Sequence, residues 1–161
     1  MFIEKAGLLL ILFIISSCAT KKAVVVVIPE HSAVIENESV LRSDFEKNIG
    51  HKVYFALDSV ILSQEAKNRL KKQAEWLLVN PNVTTTIEGH CDEKGSKNYN
   101  LALGLKRAEA VEKFLIAQGI DKTRLTVVTY GKDKPELEDH NENAWRLNRR
   151  AITRIIIKHN I

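Results

Sequence analysis

Cysteine, proline and glycine are scarce in this chain: two, three and seven among 161 residues. Two cysteines cannot make the disulfide framework of a small secreted scaffold. So few prolines and glycines exclude collagen-like and low-complexity architectures. No Cys or His residues recur at the short paired spacing of a zinc site. No apolar run approaches the ~20 residues needed to span a bilayer. Charge of one sign does not dominate either. The 24 Lys and Arg stand against 20 Asp and Glu, for a net charge of +4. The basic residues are interspersed with acids, without the dense basic stripe of a nucleic-acid binder, so no nucleic-acid partner is expected.

What the chain does have begins at its start. Ala6 to Ile15 (AGLLLILFII) is a short apolar run preceded by Lys5 and followed by Ser16-Ser17-Cys18. A run of this length reads as the apolar region of a signal peptide. Small residues leading into a cysteine resemble the bacterial lipoprotein signal, which implies acylation of Cys18 and removal of residues 1–17. Ala19 follows, where Asp would favour retention in the inner membrane, so the resemblance points to an outer-membrane lipid anchor with the domain facing the periplasm. Cys91 then has no partner in the chain and is expected to be a buried, inert thiol. Residues 18–45 read as a tether. Val24 to Ile28 is β-rich and stops at Pro29. Residues 30–45 are polar, show no clear period and read as linker.

The remainder, 46–161, reads as one folded domain. Val53 to Leu57 is a strand candidate. Ser63 is positioned to cap a helix over Gln64 to Leu78, whose Ala66, Leu70, Ala74 and Leu77 recur at helical spacing. Asn80-Pro81-Asn82 breaks that helix, and the β-branched Val83 to Glu88 is a second strand. A polar loop, Gly89 to Ser96, leads into a helix over Asn98 to Gln118, ended by Gly119. Leu101, Leu105, Ala108, Val111 and Leu115 form its expected core stripe. Leu125 to Tyr130 is a third strand, 132–148 a long polar loop with a short helix, and Ala151 to Lys158 the last strand. The order β-α-β-α-β-β predicts an α+β sandwich with two main helices on one face of a mixed sheet.

On the second helix, Asn100, Leu103 and Arg107 fall at i, i+3 and i+7, on a face apart from the core stripe. The loop carrying Asp92 arrives at that end, and a helix N-terminus there favours an anion. A carboxylate at Asp92 and the planar donor fork of Arg107 suit a zwitterion, an ammonium beside a carboxylate. Asn100 adds a donor or an acceptor. The alternative reading of the same spacing is a structural Asp92–Arg107 ion pair. An enzyme is not expected. His90, Cys91 and Asp92 are adjacent, but neighbours at a strand end point to opposite faces and cannot share a site.

The segments VYFALDS, IEGHCDEKGSKNYNLALGLKRAEAVEKFL, VVTYGKDKP and NRRA, in this order over about residues 50–158, are similar to the OmpA-like peptidoglycan-binding domain. The resemblance implies the same β-α-β-α-β-β fold and non-covalent binding of the peptidoglycan stem peptide through the zwitterionic end of diaminopimelate. It places the ligand carboxylate on Asp92, the arginine on Arg107, the asparagine on Asn100 and the leucine on Leu103. It adds Leu57, Asp58 and Lys94. In three places the chain departs from the family pattern. Leu57 stands where an aromatic is usual, Cys91 where Ala or Thr is, and Lys94 where Arg is frequent, which keeps the charge and loses the fork. Lipid-anchored members also bind periplasmic proteins of the Tol system, so a TolB-like partner is implied. No cofactor is. A flagellar-stator role would require a membrane span that the apolar run is too short to supply.

Overall fold

A four-stranded mixed sheet sets the geometry, in the order β1-β4-β2-β3. Its strands are β1 (Lys52–Tyr54), β2 (Val83–His90), β3 (Leu125–Gly131) and β4 (Arg150–Ile157). β4 runs antiparallel to both β1 and β2, and β2 runs parallel to β3. The helices are α1 (Glu30–Asp44), α2 (Gln64–Val79), α3 (Lys97–Ala117) and the short α4 (Glu142–Asn148). The computed structural model describes residues 30–157, without the side chains of 30–36. Cys18, the 1–17 segment and Val24–Ile28 lie outside the described residues. Among the described residues no helix is long and apolar enough to cross a membrane.

Alternation along β2 explains the layering. Val83, Thr85 and Ile87 are buried toward the helices, and Thr85 and Ile87 stand opposite Ile155 and Thr153 of β4. α2 and α3 cover that face, and the core between them includes Leu70, Leu77, Ile87, Val111, Leu115 and Ile155. The caps hold the helices where the sequence places them. Ser63 Oγ accepts from Ala66 N at 3.1 Å, and Ser96 Oγ accepts from Tyr99 N at 3.2 Å. Gly119, at φ +96°, closes α3 in the left-handed conformation that only glycine adopts cheaply.

Three expectations need correction. The segment read as linker is helical over Glu30–Asp44. Its polar composition gives no readable period, and its C-terminal end is tied to the domain. Arg42 Nη1 donates to Ile155 O at 3.0 Å, and Asp44 Oδ2 accepts from Trp76 Nε1 at 2.7 Å. A π-helical turn, Phe45–Gly50, follows and drives Phe45 completely into the core against Trp76, with ring centroids 4.9 Å apart. Burial of that one side chain contributes about 2–3 kcal/mol. The first strand is shorter than expected, because the chain turns at Ala56, where Ser59 N donates to Ala56 O at 3.3 Å, and carries Leu57 and Asp58 out of the sheet.

The third correction concerns α3. Ala108, Val111 and Leu115 are buried as expected, but Leu105 is exposed and Leu101 only half-buried. The sheet-facing positions in the first half are Asn100, Gly104 and Arg107. α3 presses against β2 through two glycines. A Cβ on Gly89 would lie 1.8 Å from Gly104 O, so the backbones touch where side chains would hold them apart. A leucine stripe cannot continue through such a contact.

Candidate functional site

Three segments converge where α3 begins: the turn after β1, the loop after β2 and the first three turns of α3. Between them lies a groove of about 360 Å³. Its lining is Leu57, Asp58, Asp92, Lys94, Gly95, Tyr99, Asn100, Leu103 and Arg107. All seven binding residues expected from the sequence are therefore brought to one cavity, joined by Gly95 and Tyr99.

The floor is Arg107, a residue with no exposed surface. Its guanidinium donates from Nε to Ser59 O at 2.9 Å, from Nη1 to His90 O at 2.9 Å and from Nη2 to Ala56 O at 3.2 Å. It thereby ties the turn after β1 to the end of β2, with N–H groups to spare on both terminal nitrogens. Its plane also lies 5.2 Å from the buried Phe55 ring. Burial lowers its pKa from the ordinary value, a change that neighbouring Cys91 and Asp92 oppose.

Asp92 does not form an ion pair with Arg107. Its Oδ2 accepts from Arg149 Nη1 at 3.1 Å, both side chains being nearly buried. Its Oδ1 accepts from Lys94 N at 3.2 Å, which folds the loop into a turn. Arg149 also reaches Phe55 O at 3.2 Å and Glu142 Oε1 at 2.7 Å. Burial works against the Arg149 charge, but Glu142 and Asp92 outweigh it and raise its pKa. The structural-pair alternative was thus right in kind for Asp92 and wrong in partner. Arg149 sits in the NRRA segment, but nothing in the spacing linked it to a loop 57 residues earlier.

The remaining side chains complete the walls. Asn100 Nδ2 donates to Lys94 O at 2.8 Å, so this amide braces the loop as well as lining the groove. Asp58 adopts φ +52°, a left-handed backbone uncommon outside glycine, and its carboxylate accepts from the Tyr99 hydroxyl. That contact raises the Tyr99 phenol above its ordinary pKa. Leu57 is 57% exposed at the rim. Lys94 Nζ stands 3.6 Å over the centre of the Trp145 ring. Behind the loop, Lys132 Nζ donates to Glu93 O at 3.1 Å and to Gly95 O at 2.7 Å. Cys91 is buried, with its Sγ 3.3 Å from Asn100 O, and burial pushes its thiol pKa up. Among the described residues no group of three or more His, Cys, Asp or Glu could hold a metal.

An α+β sandwich with a groove of mixed charge, walled by loops and floored by a buried arginine, is the build of a ligand-binding domain. The chain belongs to the OmpA family, whose sequence pattern matches residues 54–149. Membership agrees with the reading of the chain as a structural rather than an enzymatic domain. The peptidoglycan-associated lipoprotein of Agrobacterium fabrum is 42% identical over 112 residues, 70% of this chain and 63% of that protein. The chain thus spans a little under two thirds of the length of such curated relatives. The crystal structure of the peptidoglycan-associated lipoprotein from Burkholderia pseudomallei matches with a TM-score of 0.68 at 34% identity, covering 71% of this chain and 99% of that one. The C-terminal domain of Helicobacter pylori MotB, at 19% identity and TM-score 0.61 over 66% of this chain and 84% of that one, shares the fold alone.

Proposed function

We propose that the chain is an outer-membrane lipoprotein that binds peptidoglycan non-covalently through the diaminopimelate of the stem peptide and so ties the outer membrane to the cell wall. The observation that carries this reading is the convergence of Asp58, Asp92, Lys94 and Arg107 on one groove of about 360 Å³. The end of a diaminopimelate side chain offers an ammonium and a carboxylate together. Asp92, with Asp58 across the groove, suits the ammonium. The carboxylate lies over Arg107, whose charge is felt strongly because it is buried in a low-dielectric floor. Leu57 and Leu103 flank the alkyl stem, and Asn100 holds the loop in place. Lipid on Cys18 supplies the other attachment, since two or more acyl chains anchor a protein stably.

The reading is tested by titrating the full chain, in detergent, with a diaminopimelate-bearing stem peptide and its lysine-bearing counterpart. Lysine keeps the ammonium and lacks the carboxylate, and one charge-assisted contact is worth about 1.5–3 kcal/mol. The diaminopimelate peptide is expected to bind about 10-fold or more tightly. Equal affinity, or binding of neither, overturns the proposal. Cys18→Ser is expected to move the protein from the membrane to the periplasmic fraction.

A second reading, a protein-interaction module of a Tol-type system with a TolB-like partner, has its own support. Leu57 and Ile61 expose apolar side chains at 57% and 77% on the loop that rims the groove. A partner covering that loop would compete with wall peptide. Co-purification of such a partner that is unaffected by added stem peptide would separate the two surfaces.

A further inference from the structure

The groove's one mobile-length cation is held by a residue outside the groove. Lys94 projects from the exposed loop between β2 and α3, and among the described residues its ammonium meets the face of Trp145 and no carboxylate oxygen. Glu142, whose charge Lys94 also influences, is taken by Arg149 Nη2 at 2.7 Å. Trp145 stands on α4, whose N-cap Asn141 accepts from Ala144 N at 3.0 Å through Oδ1. The indole is fixed in turn, because its Nε1 donates to Glu93 Oε1 at 2.8 Å and Glu93 Oε2 lies 2.6 Å from His140 Nδ1. The ring therefore grips two successive loop residues, Glu93 through its N–H edge and Lys94 through its π face.

From this geometry we infer that Trp145 is a positioning residue for ligand selection: it parks the Lys94 ammonium at the groove rim for a second carboxylate of the ligand, beyond the zwitterion held by Asp92 and Arg107. The inference rests on the stem-peptide reading above. A lysine side chain alone loses most of its rotamer freedom when a ligand fixes it. An aromatic face restrains the stem while leaving the ammonium charge available, at a contact strength of about 0.5–1 kcal/mol. The main-chain carboxylate of a terminal diaminopimelate is the group of matching charge that such a ligand carries.

The test uses the full chain in detergent and two ligands, a stem tripeptide ending in diaminopimelate with its main-chain carboxylate free and the same peptide amidated there. The wild type is expected to prefer the free carboxylate. Lys94→Gln abolishes that preference. Trp145→Leu weakens binding of the free form about 2- to 5-fold and abolishes the preference, whereas Trp145→Phe, which keeps an aromatic face and loses the bond to Glu93, retains it. Adding Trp145→Leu to Lys94→Gln causes no further loss. In the free protein the Lys94 side-chain protons carry an upfield ring-current shift that Trp145→Leu removes. A Trp145→Leu protein that still prefers the free carboxylate, or one whose loss is equally large on the Lys94→Gln background, overturns the assignment. If the wild type binds neither peptide while the ring-current shift is present, the wall reading fails first and the carboxylate role falls with it.

Discussion

Arg107 and Arg124 occupy opposite ends of β2 and do the same structural work. Arg107 donates to Ala56, Ser59 and His90 carbonyls where β2 ends. Arg124 donates to Leu77, Asn80 and Val83 carbonyls where β2 begins. Each guanidinium closes a turn that has no regular partners for its backbone. The surroundings differ. Arg124 is half-exposed, and the acid beside it, Asp121, is occupied in accepting from Thr123 N at 2.7 Å. Arg107 is fully buried beneath a groove that also holds Asp58, Asp92 and Lys94. An arginine clamped on carbonyls is therefore not by itself a recognition element. What distinguishes the β2 end is the open space and the opposite charges arranged over it.

The largest expected effect breaks the groove end at its narrowest contact. Gly89→Ala sets a methyl against Gly104 O, backbone against backbone, and is expected to destabilise the fold by about 4 kcal/mol or more, read by urea unfolding. Next, the two arginines can be exchanged for alanine. Arg107→Ala removes a fully buried guanidinium and strands three carbonyls, at about 1–3 kcal/mol each, and is expected to cost on the order of 4 kcal/mol as well as ligand binding. Loss of binding with stability untouched is therefore not expected. Arg124→Ala is expected to cost about 1–2 kcal/mol, since the guanidinium it removes is half-exposed and water can take its place, and to leave binding intact. Equal losses of stability would erase the contrast between the two ends.

Acid should loosen the groove end first. His90 is buried, and burial together with the adjacent Arg150 lowers its pKa from 6.5 to about 4, with Glu88 Oε2 at 3.5 Å a partial counterweight. Between those values the unfolded chain binds a proton that the folded chain refuses. Stability is therefore greatest above pH 6.5 and falls as pH drops toward 4, by up to about 3 kcal/mol. Thermal unfolding from pH 7 to 4.5 checks the slope, and His90→Gln should flatten it. The smallest effect on stability separates site from scaffold. Asp58→Asn keeps a side chain that tolerates φ +52° and still accepts from Tyr99, so stability should change by less than about 0.5 kcal/mol. Binding of the diaminopimelate peptide should nevertheless weaken several-fold, measured by calorimetry.

Much of the scaffold was legible because its signals are local. The alternation of Val83, Thr85 and Ile87, the Ser63 cap and Gly119 each act within a few residues. α1 was not legible, because its residues are mostly polar and show no apolar stripe, although Leu41, Arg42 and Asp44 hold its end to the domain. The Leu101–Leu105 stripe misled because it extended the periodicity of Ala108 and Leu115 into a region where Gly104 must face the sheet. For the groove, spacing grouped Asn100, Leu103 and Arg107, and resemblance added Leu57, Asp58 and Lys94. Neither could find Arg149 or Trp145, since the loop's supports come from α4 and the residue after it, and long-range pairing leaves no trace in local order.

The helical form of residues 30–44 has a mechanical side. Fifteen residues wound as α1 span about 22 Å, whereas the same residues drawn straight reach about 50 Å. An isolated helix this short is marginal in water, so it yields at low load. Tension applied ahead of Glu30 would pay out the first turns and then halt where Leu41 packs on the core and Arg42 is bonded to Ile155. Residues 30–40 would more than double in length before strain reached the sheet through Arg42.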